Sequence, residues 1–71
     1  MPLETIQVVI NGESREVPPD QSVASLLHLL SLPSERVAVE LNKSIVRKRD
    51  WGSTAIFEGS RIEIVEFVGG G

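Results

Sequence analysis

Cysteine is absent from this chain of 71 residues, and histidine occurs once, at His28. Without cysteine the chain can form no disulfide, no thiolate nucleophile and no thiolate metal site. The single histidine leaves no pair to hold a metal ion, and a lone helical histidine is more often a surface residue than a catalytic one. We do not expect an enzyme in a chain this short and this poor in catalytic side chains.

Long apolar runs and phosphate-binding loops are missing too. No apolar stretch reaches the ~20 residues of a membrane span, and no signal-peptide pattern opens the sequence. We therefore expect a cytoplasmic protein with no membrane partner. No glycine-rich loop followed by Lys and Ser or Thr is present, so we expect this chain to bind no cofactor and any ATP to be held by another protein.

The charge pattern argues against nucleic acid as a partner. The net charge is −3, and the one basic cluster, at Arg47, Lys48 and Arg49, lies beside a single aromatic residue, Trp51. Nucleic-acid surfaces combine basic residues with several stacking aromatics. We interpret the cluster as a solvated loop, with Trp51 covering an edge of the core.

What is present indicates one small folded domain. The hydrophobic share of 41% and the charged share of 24% are typical of globular proteins. A chain of this size buries only about 60% of its unfolded surface, so every apolar face must be used. The alternation of apolar residues predicts strands over 5–11, 14–17, 36–41, 44–47 and 61–67.

Turn and helix signals connect these strands. Asn11-Gly12 predicts a two-residue hairpin turn, because both positions of a type I′ turn need a positive φ. Asn42-Lys43 and Glu58-Gly59-Ser60 predict further turns, and Ala55-Ile56-Phe57 a short turn or 3₁₀ piece. Ser22 is a good N-cap for a helix of about three turns that Pro33 ends; its apolar stripe, which must pack on the sheet, is Val23, Leu26, Leu27 and Leu30.

These elements predict an α+β fold of the β-grasp type: a mixed sheet of four to five strands with one helix packed on one face. A right-handed crossover places the third or the last strand parallel to the first. We assign residues 1–68 to this domain and residues 69–71 to a flexible glycine tail.

The last strand allows two interpretations. Ile62 and Ile64 point to one face, and Val65 and Phe67 to the other. A bulge near Val65 could turn Phe67 inward; alternatively both lie on the open face of the sheet, where they would guide the tail into a partner. We favour the second interpretation.

The tail itself, Gly69-Gly70-Gly71, could be a linker remnant or a frayed end. Alternatively, the α-carboxylate of the tail is the functional group. A carboxylate is a weak nucleophile and can carry a group only after activation, most simply as an acyl adenylate. A tail without side chains suits a closed channel that keeps water away from such an intermediate.

The sequence resembles the ThiS family of thiamin-biosynthesis sulfur carriers, which are ubiquitin-like β-grasp proteins. The resemblance covers essentially the whole chain, and its most specific part is the last dozen residues. It rests on Asn11-Gly12, Val39-Glu40-Leu41-Asn42, Ile45-Val46-Arg47, Trp51, Glu58-Gly59-Ser60-Arg61-Ile62-Glu63-Ile64-Val65 and Phe67-Val68-Gly69-Gly70-Gly71. One departure is Ser60, where the family usually has Asp.

The resemblance implies a role for each part of the tail. A ThiF-like adenylating enzyme would use ATP to convert the Gly71 carboxylate to an acyl-AMP. Sulfur from cysteine, delivered through a cysteine desulfurase, would replace AMP to leave a thiocarboxylate, and a ThiG-like thiazole synthase would take that sulfur. Gly69 and Gly70 would give clearance, and Val65, Phe67 and Val68 would dock on the partner.

Two alternatives stay open. The small subunit of molybdopterin synthase shares this ending and this chemistry, although the 62–68 stretch favours the thiamin branch. A ubiquitin-like interaction module that binds through its sheet, with a tail of no function, belongs to a different class.

Overall fold

The computed structural model describes residues 4–67, which form a five-stranded sheet with an α-helix across one face. The strands are β1 (Ile6–Ile10), β2 (Glu13–Val17), β3 (Val37–Leu41), β4 (Ser44–Val46) and β5 (Arg61–Glu66). The helix α1 spans Val23–Leu29, and 3₁₀ helices span Ser34–Arg36 and Lys48–Ser53. Each strand begins and ends within one residue of the predicted limits.

The sheet has the order β2-β1-β5-β3-β4. The last strand lies at its centre, parallel to β1 and antiparallel to β3, so the parallel neighbour of β1 is the last strand and not the third. The predicted α+β class and the β-grasp arrangement are confirmed.

Two tight turns of the predicted kind join the antiparallel pairs. Asn11 and Gly12 have φ values of 50° and 83°, and Asn42 and Lys43 have 51° and 73°. Positive φ at both central residues lets a two-residue turn follow the right-handed twist of its strands. The first turn joins β1 to β2 and the second joins β3 to β4.

The helix begins at the predicted N-cap. The Ser22 hydroxyl accepts a hydrogen bond from the Ser25 N–H (3.1 Å), and the Ser25 hydroxyl oxygen accepts one from the Ser22 N–H (2.8 Å). This reciprocal capping box satisfies two of the N–H groups that a helix start leaves without partners.

The helix is shorter than predicted: it ends at Leu29 and does not continue to Pro33. It has seven residues, about two turns instead of three. Ser31 takes a left-handed φ of 58°, and the N–H groups of Ser31 and Leu32 donate to the carbonyls of His28 and Leu27 (both 3.0 Å). This is a Schellman ending, in which the chain itself closes the helix.

The core lies between this helix and the sheet. Its buried members come from the helix-facing side of β1, β2, β3 and β5, from α1, and from the 3₁₀ helix Lys48–Ser53 and the segment after it: Val8, Ile10, Val17, Val23, Leu26, Leu27, Val37, Val39, Trp51, Ile56, Ile62 and Ile64. Leu30, the last residue of the predicted stripe, packs against this cluster while half-buried.

Trp51 closes one edge of the core, as predicted. Its side chain is buried and its Nε1–H donates to the Val46 carbonyl at 2.9 Å, so the one polar atom of the indole is satisfied. Lys48 and Arg49 of the basic cluster are solvated but belong to the 3₁₀ helix Lys48–Ser53 rather than to a loop.

The segment after this 3₁₀ helix differs from the prediction. Ala55 forms an antiparallel bridge with Ser22, and the Ile56 N–H donates to the Gln21 carbonyl (2.8 Å). The expectation of a turn or 3₁₀ piece from Ala55 to Phe57 is wrong, because the backbone leading into α1 offers these residues extended partners.

Candidate functional site

The last strand crosses the middle of the sheet without a bulge. Its residues from Ile62 to Glu66 pair one to one with β3, from Leu41 back to Val37. The bulge interpretation of Val65 is therefore wrong, since a bulge would place two residues opposite one.

The regular pairing separates the side chains of β5 onto two faces. Ile62 and Ile64 are buried under the helix, whereas Val65 is 57% and Phe67 55% exposed. The favoured placement of Val65 and Phe67 on the open face is confirmed. The remaining predicted site residues, Val68, Gly69, Gly70 and Gly71, lie outside the described residues.

The side chain of Asn11 holds β5 where β1 ends. Its Oδ1 accepts from the Ile64 N–H at 2.7 Å, and its Nδ2 donates to the Ile64 carbonyl at 3.1 Å. The side-chain amide of Asn11 thus makes the two hydrogen bonds that a further residue of β1 would make if the strand continued past Ile10. It satisfies both backbone groups of a central strand near its exit from the sheet.

A second asparagine holds the beginning of β5 from the other side. The Asn42 N–H donates to the Arg61 carbonyl (2.7 Å), and Asn42 Oδ1 accepts from the Arg61 N–H (2.9 Å). Sequence reasoning identified both asparagines as turn residues and missed these contacts. The available signal was an Asn, rather than a Gly, at the first position of each turn.

Ser60 closes the turn before β5 with two hydrogen bonds to Phe57. It is the one buried polar residue among residues 4–67. Its hydroxyl accepts from the Phe57 N–H at 2.9 Å, and its N–H donates to the Phe57 carbonyl at 3.0 Å. The short Ser side chain thus supplies the acceptor oxygen that the Phe57 N–H requires.

The same turn joins the start of β1. The Gly59 N–H donates to the Gln7 carbonyl (2.7 Å), and Glu58 Oε1 accepts from the Gln7 N–H (3.0 Å). Because these contacts, together with those of the two asparagines, lie along the whole length of β5, the strand's position in the sheet is strongly constrained.

The open face of the sheet combines apolar and acidic side chains. Ile45 on β4 is 76% exposed, and it lies opposite Glu40 on β3, which in turn lies opposite Glu63 on β5. Residues opposite one another share a face, so these three side chains form a row across the sheet. Val65 follows Glu63 on the same face, two positions nearer the end of the strand.

Residues 4–67 contain neither a cluster of metal ligands nor a membrane-spanning helix. They contain no group of three or more His, Cys, Asp or Glu side chains that could hold a metal ion. No helix within this range is long and apolar enough to cross a membrane. An open groove of about 420 Å³ lies beside the start of β1, between Ile6, Pro19 and Phe57, and contains none of the predicted site residues.

Comparison with known proteins gives the family. The model of the ThiS family matches residues 8–71. The crystal structure of the thiamine biosynthesis protein ThiS from Geobacter metallireducens superposes with a TM-score of 0.82 at 29% identity, over 93% of this chain and all of that one.

Sequence relatives fall into two size classes. A thiazole synthase of Paramagnetospirillum magneticum is 42% identical over 66 residues, but this chain spans only 20% of its length. The protein Ycf40 of Porphyra purpurea is 37% identical over 68 residues, which are 96% of both chains. With a family match over nearly the whole length, this chain belongs to the ThiS family.

Proposed function

We propose that this chain is a sulfur carrier for thiazole formation in thiamin biosynthesis, and that it holds the sulfur as a thiocarboxylate on Gly71. The observation that carries the proposal is the family match, which runs through the glycine tail to residue 71. The match to ThiS proteins and to a thiazole synthase supports the thiamin branch over the molybdopterin branch.

The fold supports this role because it fixes where the tail begins. Asn11 holds Ile64 by two hydrogen bonds, and the Phe67 N–H donates to the Arg36 carbonyl at 2.6 Å. The backbone is thus held in the sheet as far as Phe67. Four residues then separate this point from the Gly71 carboxylate, a reach of roughly 13–14 Å if the chain is extended.

The chemistry requires partners. A ThiF-like enzyme would bind ATP and join the Gly71 carboxylate to AMP with loss of pyrophosphate. The outer sulfur of a persulfide that a cysteine desulfurase forms would then attack the acyl-AMP and expel AMP. A thiol reductant would cleave the S–S bond of the resulting acyl disulfide to release the thiocarboxylate, and a ThiG-like thiazole synthase would accept the sulfur. In this scheme the chain is a carrier and not an enzyme: it binds no cofactor, and Gly69 and Gly70 provide clearance in the partner's channel.

The exposed apolar side chains at the end of β5 suit a docking role. Val65 and Phe67 lie more than half exposed directly before the tail, and we assign the neighbouring Val68 to the same role. Burying a fully exposed side chain of this size contributes about 1.5–3 kcal/mol, so burying the exposed half of each contributes about 1 kcal/mol to a complex. We place the protein in the cytoplasm, together with these partner enzymes.

An intact-mass measurement tests the proposal. The purified chain is incubated with an adenylating enzyme from the same genome, ATP, cysteine, a cysteine desulfurase and a thiol reductant. We expect one oxygen of the Gly71 carboxylate to be replaced by sulfur. The starting mass also establishes whether Gly71 is the terminal residue, as the proposal requires. A matched control carries one alanine after Gly71 and should stay folded but unmodified.

The branch is tested in cells. The gene should rescue a strain that lacks its own thiazole sulfur carrier when thiazole is omitted from the medium. Rescue of molybdopterin synthesis without rescue of thiazole synthesis would contradict the thiamin assignment. An unmodified Gly71 with every adenylating partner tested would contradict the carrier function itself.

A further inference from the structure

The centre of the open face carries two carboxylates directly opposite each other. Glu40 and Glu63 are cross-strand partners in the β3–β5 pairing, and side chains in such positions have Cβ atoms about 5 Å apart. Like charges placed opposite one another destabilise a sheet, so this arrangement does not serve the stability of the isolated chain.

No basic side chain of the described part of the chain neutralises this pair. The one salt bridge among residues 4–67 joins Arg49 to Asp50, on a different part of the surface. Arg61 lies on the same face, two positions before Glu63, yet it comes within salt-bridge distance of neither carboxylate. Both glutamates are exposed to solvent, where water stabilises their charges.

Apolar side chains lie on both sides of the pair. Ile45 lies opposite Glu40 on β4, and Val65 follows Glu63 along β5. A partner that covers Ile45 and Val65 together must also cover the carboxylates between them. Removing two adjacent negative charges from water without a counter-charge is strongly unfavourable, so a partner that brings a cation against the pair can use this apolar surface better than one that does not.

We propose that Glu40 and Glu63 form a recognition site for an arginine or lysine of the partner enzyme, and that this site selects the correct partner for the open face. The inference rests on the proposed function, because it concerns how the carrier docks. The occupant is a protein surface with an apolar rim around one basic side chain. A guanidinium matches two carboxylates through its several N–H donors.

The pair thus acts in opposite directions on folding and on binding. In the free chain the repulsion between the two carboxylates lowers the stability of the fold. In the complex both carboxylates attract the cation of the partner. A neutral or acidic surface that fits the apolar residues equally well is rejected, because it leaves the carboxylates buried without a partner.

The test uses Glu40→Gln and Glu63→Gln, which remove one charge each at nearly constant shape. Binding of the full chain to the thiazole synthase and to the adenylating enzyme of the same genome is measured by calorimetry at low and at physiological salt. We expect each variant to bind at least one of these enzymes about tenfold more weakly. We also expect a weaker salt dependence and a thermal midpoint a few degrees higher.

Glu13→Gln is the matched control, because Glu13 lies opposite Ile10 and therefore on the helix side of the sheet, at its edge. It removes the same charge and should alter binding to neither enzyme. Unchanged affinity of Glu40→Gln and Glu63→Gln for both enzymes, with the wild-type chain bound and thiocarboxylated normally, overturns the inference and leaves the proposed function intact. A wild-type chain that binds neither enzyme and takes up no sulfur overturns both.

Discussion

Replacing Asn11 is the sharpest test of how the fold positions the tail. In Asn11→Gly the backbone keeps its freedom to adopt a φ of 50° but loses both side-chain hydrogen bonds to Ile64. In Asn11→Ala those bonds are lost as well, and the left-handed backbone becomes strained. The two variants therefore separate the side-chain contacts from the turn conformation.

The expected magnitudes follow from the contacts. Leaving the Ile64 N–H without its acceptor costs about 1–3 kcal/mol, and with the second bond we expect Asn11→Gly to lose about 2–3 kcal/mol. Asn11→Ala should lose about 1 kcal/mol more, because a residue with a Cβ is disfavoured at positive φ. A domain of this size is stable by roughly 4–11 kcal/mol in total, so both losses are large.

Urea unfolding measures these differences, and hydrogen exchange locates them. We expect the Ile64 amide to exchange faster in Asn11→Gly, while the Arg61 amide, held by Asn42, keeps its protection. Lys43→Gly is the control: it changes a residue with φ 73° and should be neutral or slightly stabilising. Equal stability of Asn11→Gly and wild type, with unchanged exchange at Ile64, would refute the reasoning.

Three further predictions concern the exposed residues Val65 and Phe67, the turn at Ser60 and the end of the tail. Val65→Asp or Phe67→Asp should weaken partner binding by about tenfold or more in calorimetry while lowering the free energy of unfolding by only about 1 kcal/mol, because both side chains are more than half exposed and the cost is that of Asp in or beside a strand; a largely unfolded variant would show that they support the core. Ser60→Ala should cost about 1–3 kcal/mol in urea unfolding, because the Phe57 N–H loses its acceptor, whereas Ser60→Asp should retain most of the stability; equal losses would contradict the role of the acceptor oxygen. Appending residues after Gly71 should leave the circular dichroism spectrum unchanged and abolish thiocarboxylation in the intact-mass assay; modification of the extended chain would exclude a terminal mechanism.

Local patterns predicted most of the fold. Alternation located all five strands, and Asn11-Gly12 located the first hairpin, since these signals depend on side-chain periodicity and on φ within a few residues. The predicted helix length was wrong because Ser31 adopts a left-handed φ that ends the helix. In a sequence such an ending is recognised by a Gly or Asn at that position, and Ser gives no such signal. The prediction of a turn from Ala55 to Phe57 was wrong because the residues that pair with this segment lie more than 30 positions away in the sequence.

The sequence by itself determined the class of the fold and the family, because side-chain periodicity and short motifs are local properties of the chain; the tail chemistry is a proposal that rests on the family match. Only the tertiary structure decided the rest. It excluded the bulge and left Val65 on the open face, it joined Asn11 to Ile64, and it placed Glu40 opposite Glu63. The physical reason is that strand register is set by pairing across the whole sheet, so contacts between distant residues cannot be obtained from local spacing.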